Sequence, residues 1–574
     1  MDLNLRMLNV DLDSSEIETE ERSSEYWERY IGGRGVGAKL LSEEDFKLDP
    51  YHPRMPVFFS TSPYEGTIAS CNRTWVTTVS PLTNYYSCAA AGGFWGITLR
   101  KAGFDVVRVV GKSDAPVWIE IADGKAKIHD GKKLWGKNTE ETREALKDHG
   151  RTATIGPAGE NLVRIAGVFM EDRSAARGGL GAVLGSKKLK ALTVKGSKPL
   201  PGLDQEPTKI FHKKTIANNN ERSGYFHEMG TLEIPPKVND GNLWPTHNWQ
   251  GVHWDQGEKL YFPKWKNLLT GYTTCFDCTI LCTRTNTSRY GDKGRGPEYE
   301  TTWAFGPQVM NDDPDIIVHA NKLCDQLGLD TISAGSVIGW YRELVEKKIA
   351  KDTWKSNEKI FELLDMIAHR KGVGDVLAEG TLRASEVFDG RSKDWAIQQA
   401  GMELPAYDPR GSWGMFLCYV FGPRHGCHNK AWTVYVELGM SLDARTGPEG
   451  KAQMVSDLMD ETAVIDSIGI CTLVTPVTFT ETPEAYRSVL GKEVSEAEVR
   501  KIGRGITDLE RALDMARGHS KEKDSLPVRL IEEAVDVNGK KVVLGDGTWD
   551  RMRNEYYRYR GWSSAGAPAL RVGK

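Results

Sequence analysis

Long apolar runs are missing from this chain of 574 residues: no stretch approaches the ~18 consecutive apolar residues of a membrane-spanning helix. An excess of one charge is missing too. Lys and Arg number 75 against 79 Asp and Glu, a net charge of −4 mixed along the chain, which excludes the strongly basic face that nucleic acid requires. The N-terminus, MDLNLRMLNVDLDSSEIETEE, is acidic and alternates apolar with polar residues. It lacks the basic start and apolar run of a secretory signal, so a cytoplasmic location is expected. Cysteine is scarce. Of nine, only Cys275, Cys278 and Cys282 lie close together, and an odd, dispersed set is a poor disulfide framework. Reduced thiols, some of them metal ligands, are the better reading.

With 39% apolar and 27% charged residues, the composition is that of a globular protein too long for one hydrophobic core. Short strand-like segments (WVTTVS, VVRVVG, VWIEIADGKAKIHD, RTATIG, RIAGVF, ALTVKG) fill the first third, separated by glycine and proline signals. Thereafter the pattern is helical. Asp313-Pro314 reads as an N-cap with proline at the first helical position; Ile316, Ile317, Ala320, Leu323 and Leu327 form an apolar stripe, and Gly328 ends it. A second helix is expected after Ser333, with Val337, Trp340, Leu344 and Val345. A third is expected from about Asn357 to Arg370. The fold class is therefore α+β: a β-rich domain over 1–205, then two mainly α-helical domains over 206–400 and 401–574. One internal echo stands out: Asp325-Gln-Leu-Gly328-Leu-Asp330 and Asp466-Ser-Ile-Gly469-Ile-Cys471.

The strongest chemical signal is Cys275-x-x-Cys278-x-x-x-Cys282. Thiolates at this spacing converge on an Fe–S cube or another soft metal; a zinc site closed by a fourth, distant ligand, or unligated thiols, fit the same spacing. Cys471 and Cys427 are the candidates for a fourth ligand. Two glycine-rich segments carry arginine, Gly32-Gly33-Arg34-Gly35-Val36-Gly37 and Arg177-Gly178-Gly179-Leu180-Gly181. Glycines let backbone N–H groups approach an anion, so phosphate binding and tight strand packing are both open readings. Glu298 and Glu300 in GPEYETTW, and His425 and His428 in RHGCH, match a solvated edge or core histidines as well as a site.

Taken together, these segments resemble the aldehyde ferredoxin oxidoreductase family of tungsten enzymes. The matching pieces run through almost the whole chain in order: IGGRGVGAKLL, SPLTNYYSCAAAGGFWG, IGPAGENLVRIAGV, RGGLGAVLGSKKLKALTVKG, CFDCTILC, GPEYETTWAFGP, both D-x-x-G motifs, DPRGSWGMFLCYVFGPRHGCH and YYRYRGW. The resemblance implies that the β-rich domain forms a saddle on which two pterin dithiolenes chelate one tungsten, covered by the two helical domains. It implies cofactor contacts from Arg73, Gly92, Gly93, Arg177, Gly178, Gly179, Gly181, Asp325, Gly328, Leu329, Asp330, Asp466, Gly469 and Ile470. Each motif aspartate would clamp the donor edge of one pterin through paired hydrogen bonds. A 4Fe–4S cluster would be held by Cys275, Cys278, Cys282 and Cys471. The implied reaction is oxidation of an aldehyde by water to a carboxylic acid, with Glu300 as general base and His428 holding or protonating the carbonyl oxygen. Electrons would pass to ferredoxin or a small Fe–S partner subunit, in a homo- or hetero-oligomer.

Two features depart from the family. Ala90 stands where the best-known members carry an asparagine that helps hold a magnesium (Mg2+) bridging the pterin phosphates, and no E-x-x-H pair for an intersubunit metal is evident near His319 or His369. Cys71-Asn72-Arg73-Thr74 and GGFWG also resemble the tungsten subunits of benzoyl-CoA reductases, so the alternative function is that of an active-site subunit of an aromatic acyl-CoA reductase.

Overall fold

The computed structural model describes residues 3–572 except Pro201, Leu203 and Thr475. Its first third holds two six-stranded sheets. The first contains β1 (Leu5–Asp11), β2 (Glu16–Arg22), β3 (Val57–Ser60), β4 (Thr74–Val79), β5 (Tyr86–Ala91) and β6 (Val106–Val110), in the order β2-β1-β6-β3-β4-β5. The second contains β7 (Val117–Ala122), β8 (Lys125–Asp130), β9 (Arg151–Thr154), β10 (Val168–Met170), β11 (Arg173–Ala175) and β12 (Leu189–Lys195), in the order β8-β7-β12-β9-β10-β11. The two orders are the same with six added to each strand number. The pairings match as well: β1–β6 and β7–β12 are parallel, and every other pair is antiparallel. In each sheet the fifth strand leads through a Gly-Gly pair into a short helix, Trp95–Lys101 or Leu180–Ser186, and then into the sixth.

Alternation along the strands explains how the sheets are buried. Val57 and Phe59, Val107 and Val109, Val117 and Ile119, Leu192 and Val194 join one core that the two sheets share with the two short helices. Phe58, Trp75 and Val106 point the other way, into the larger core shared with the helical region. The first sheet is thus apolar on both faces, which is why β4 is buried along its whole length.

From residue 206 onward helices dominate, as expected. Asp313 caps the helix Pro314–Leu327 by accepting from the Asp315 N–H at 3.0 Å, and Gly328 closes it at φ 82. The next helix starts earlier than the sequence suggested. Asp330, not Ser333, caps Thr331–Glu346 through the Ile332 N–H, because its short acceptor side chain is free to turn back on the first helical turn. The third helix runs Lys359–Ala368. A three-stranded sheet (Leu269–Thr273, Thr283–Thr287 and Lys293–Arg295) interrupts the helices, and the cysteine loop is the connection between its first two strands. Among the described residues, no helix is long and apolar enough to cross a membrane.

Candidate functional site

The two D-x-x-G motifs are equivalent helix C-termini. Helices Pro314–Leu327 and Lys451–Ile468 each end in a left-handed glycine, Gly328 at φ 82 and Gly469 at φ 97, a conformation that costs glycine little and other residues more. Each glycine carbonyl then docks just ahead of the fourth strand of a sheet. Gly469 accepts from the N–H groups of Asn72 and Arg73, both at 3.0 Å, and Gly328 accepts from Gly167 at 2.9 Å. Residues Ile470 and Leu329 form bridges to Cys71 and Ala166. Duplicated sheets therefore present two matching helix ends to one interior space.

That space is a cavity of about 340 Å³. Its wall includes Arg73, Gly92, Arg177, Asp325, Leu329, Asp330, Asp466 and Ile470 of the residues implied for the cofactor, two of the cysteines (Cys275 and Cys282), and both Glu300 and His428. Gly178, Gly179 and Gly181 are not in the wall. They allow close packing behind it, and the Gly181 N–H is bonded to the Ala166 carbonyl. Gly93 also lies behind the wall, its carbonyl accepting from the Phe276 N–H at 3.1 Å. The other glycine-rich segment, Gly32–Gly37, is a packing element. Arg34 is fully buried against Glu510 in a bidentate pair at 2.8 and 2.7 Å and reaches Asp466 at 3.0 Å, so its charge is neutralised inside the protein.

Cys275 and Cys282 line the cavity, and Cys278 and Cys471 lie near enough to act electrostatically on Cys282. Burial, then Glu298 and the other three cysteines, push the Cys282 thiol well up. Arg73 donates to the Cys471 sulfur, and a Cβ on Gly92 would fall 2.6 Å from Arg73 Nη1 and 2.8 Å from Cys275 Sγ, so a larger residue there would push these side-chain ends aside. Among the described residues, no three His, Cys, Asp or Glu side chains converge closely enough to hold a single metal ion. Cys427 lies elsewhere: its sulfur is 2.8 Å from Arg424 Nη2.

Glu300 and His428 face each other across the cavity, Oε1 to Nε2 at 3.3 Å, while Oε2 of Glu300 accepts from the Ala406 N–H at 3.0 Å. Burial pushes the Glu300 carboxyl up to about 8. Burial, reinforced by the charges of Arg177, Arg424 and Lys430, holds the His428 imidazole well below its usual range. At neutral pH the carboxyl is therefore mostly protonated, and the imidazole is neutral with a single ring N–H. The loop that presents His428 is bent by three successive residues in the left-handed region, Arg424 at φ 74, His425 at φ 57 and Gly426 at φ 45. His425 points away, 3.3 Å from Asp514 and stacked on His519 at 4.9 Å. Glu298 is no solvated edge either. It lines the wall and accepts from the hydroxyls of Thr231 and Thr283.

Several wall residues carried no sequence signal of their own: Arg173, Arg295, Tyr407, Trp432 and Lys430, the last bonded to Asp466 at 2.7 Å. Within the wall Trp75 Nε1, Arg173 Nη1, Arg295 Nε and Arg424 Nε are buried without hydrogen-bond partners. Orphaned donors beside acidic acceptors Asp325, Asp330 and Asp466 suit a large ligand bearing both anionic groups and amino edges.

Comparison with known proteins places the chain in a family. Residues 7–196 match the family described as aldehyde ferredoxin oxidoreductase, N-terminal domain, and residues 209–572 match aldehyde ferredoxin oxidoreductase, domains 2 and 3. The chain belongs to the aldehyde ferredoxin oxidoreductase family. It is 36% identical to the tungsten-containing aldehyde ferredoxin oxidoreductase of Pyrococcus abyssi and 34% identical to that of Pyrococcus furiosus, in both cases over 98% of this chain and 96% of the relative. An aliphatic sulfonate oxidoreductase, WOR-like subunit, of Pyrococcus furiosus is 28% identical over 99% of this chain and 96% of its own. Among solved structures, the active site complex BamBC of benzoyl coenzyme A reductase with 1,5 dienoyl-CoA superposes with a TM-score of 0.84, covering 99% of this chain and 96% of that one. At 23% identity this likeness concerns the fold alone.

Proposed function

We propose that this protein is a tungstopterin oxidoreductase that oxidises an aldehyde with water to a carboxylic acid, releasing two electrons and two protons. The observation that carries the reading is the Glu300–His428 pair, 3.3 Å apart in the wall of a cavity that also holds cysteines and both motif aspartates. When bound, a bis-pterin tungsten centre would take up the electron pair, and a 4Fe–4S cluster would pass electrons singly to ferredoxin or a small Fe–S partner. Asp325, Asp330 and Asp466 offer acceptors to the pterin amino edges, while Arg73, Arg177 and the orphaned arginine nitrogens offer donors to its phosphates. The four thiols suit a cube better than zinc, which at ~2.3 Å from each sulfur would need them about 3.8 Å apart. Ala90 offers no side-chain oxygen to magnesium, so a bridging Mg2+ would rely on backbone groups there.

The chain's own chemistry is proton handling. His428 holds the carbonyl oxygen of the aldehyde, and the neutral imidazole can donate from a ring N–H. Glu300, as carboxylate, takes the proton from the attacking water. Ala406 and the buried surroundings keep the carboxyl fixed in place, so little reorganisation is needed during transfer. We further propose that the helical region divides near residue 400, with the cysteine loop in one part and His428 in the other.

The test is metal analysis and aldehyde-dependent viologen reduction on anaerobically purified protein. Tungsten with about four irons and turnover of aldehydes is the expected outcome. Zinc alone would refute the cofactor assignment, and benzoyl-CoA-dependent electron exchange without aldehyde turnover would move the protein to the acyl-CoA reductase alternative.

A further inference from the structure

Two exposed aromatic side chains of the helical region, Tyr225 and Tyr435, stand on segments that also line the cavity. Tyr225 and Tyr435 are 47% and 44% exposed, although large aromatic side chains on a monomer's surface are ordinarily better covered. Their side chains lie close enough to influence one another electrostatically. They sit on separate segments, each of which also lines the cavity from inside: Thr231 and Ile234 follow Tyr225, and Trp432 precedes Tyr435. The two tyrosines thus span the gap between two wall segments.

From Tyr435 inward the rings are continuous. Tyr435 meets Trp432 edge-on at 4.1 Å between centroids, Trp432 lies 6.3 Å from Tyr407 and 6.2 Å from His428, and Tyr407 lies 5.4 Å from His428. Ring contacts thus connect the exposed Tyr435 to the Glu300–His428 pair, with Trp432, Tyr407 and His428 in the cavity wall. Lys237, the cation over the Tyr225 ring, is paired with Glu233, so it does not by itself draw a charged ligand to this place.

We infer that Tyr225 and Tyr435 form the gate of the substrate channel and that, with Trp432, they make the enzyme select uncharged aldehydes bearing an aromatic ring over small aliphatic ones. The inference rests on the aldehyde reading above and names its substrate class. A planar ring entering this path finds edge and face partners at each step, whereas a methyl group leaves them unpaired.

Two measurements on the holoenzyme separate this inference from the reading it rests on. The first is kcat/KM for benzaldehyde and acetaldehyde. Wild type should favour benzaldehyde by about tenfold or more, the scale set by filling an apolar pocket. Tyr435→Ala should cut that ratio about tenfold, mostly through KM, while Tyr435→Phe, which keeps the ring, should preserve it. The second is calorimetric binding of benzamide and acetamide, unreactive analogues of the same shapes, in the same three proteins. Benzamide should bind more tightly than acetamide, with the preference reduced in Tyr435→Ala. A wild type without ring preference, or a preference that Tyr435→Ala leaves intact in both measurements, overturns the gate. If no aldehyde turns over but the benzamide preference behaves as expected, the gate stands and the aldehyde reading falls.

Discussion

Replacing Glu300 by Gln tests the chemistry most directly, because the amide is nearly isosteric and its oxygen can still accept from the Ala406 N–H. With the carboxyl held near 8, about a tenth is ionised at pH 7 and about a hundredth at pH 6. If the carboxylate is the base, kcat/KM for an aldehyde should rise roughly tenfold per pH unit below about 8 and level off above it. Glu300→Gln should lower turnover by about 10²–10⁴-fold and abolish the pH step. Stability supplies an independent sign. The folded-state carboxyl lies above its ordinary value of 4.5, so its contribution is fully present below pH 4.5 and is lost as the pH rises through about 8. At ~1.4 kcal/mol per pH unit, ionising it costs the fold at most about 5 kcal/mol, and Glu300→Gln escapes that cost. The variant should therefore gain in melting temperature over wild type between pH 6 and 9. The assay is steady-state viologen reduction across that range, paired with thermal unfolding and tungsten content. A pH step near 8 that survives in Glu300→Gln, or a rate flat with pH in wild type, would refute the role of this carboxyl.

His428→Asn should keep the cofactor and lower kcat, whereas His425→Asn and Glu298→Gln, one outside the wall and one already bonded to two threonines, should keep the pH step; the profile of each variant decides. Cys278→Ser and Cys471→Ser should lose iron and the reduced-state EPR signal of a cubane, while Cys88→Ala and Cys324→Ala retain both; an intact signal in both Ser variants defeats the assignment. Asp466→Ala should destabilise more than Asp325→Ala, by about 3 kcal/mol in unfolding experiments, since it strands the buried charge of Lys430 while Arg34 keeps Glu510, and equal melting of the two variants counts against that account. Gly328→Ala should be worse than Gly469→Ala in melting and tungsten retention: both need a left-handed φ, but a Cβ at 328 would fall 2.7 Å from the Gly156 nitrogen, against nothing nearer than 3.4 Å at 469.

What could be read from the sequence was what is decided locally or by a repeated pattern. Asp313 and Gly328 mark a helix because capping is a matter of two or three adjacent residues. VWIEIADGKAKIHD was legible as β structure, though as one segment; it is two strands, β7 and β8, folded back at Asp123-Gly124. By contrast β5, Tyr-Ser-Cys-Ala-Ala-Ala, carries almost no strand propensity and is a strand because β4 pairs with its full length. The small sheet around the cysteine loop escaped notice because its Thr-rich strands are short and carry few apolar residues. In the site, family resemblance picked out Glu300 and His428, but pattern alone could not separate them from Glu298 and His425. That separation is tertiary: His425 falls outside the wall, and Glu298, though in it, is taken up by the hydroxyls of Thr231 and Thr283 while Glu300 faces His428. Nor could spacing say that Arg34 would pair with Glu510, 476 residues away, rather than face a phosphate.

The duplicated sheets give the D-x-x-G echo a physical cause. A scaffold that repeats its strand order also repeats the place ahead of its fourth strand where a helix end can dock, and both places are filled by a left-handed glycine followed by an apolar bridge residue. Symmetry ends at the next residue. On one side Asp330 caps a helix and faces Arg177 at 3.5 Å; on the other, Cys471 receives Arg73 and joins the three loop cysteines. One half of the repeat therefore leads toward Glu300 and His428 and the other toward the thiols. A cofactor with two similar arms would be clamped alike by both halves, yet meet proton chemistry on one side and an electron exit on the other.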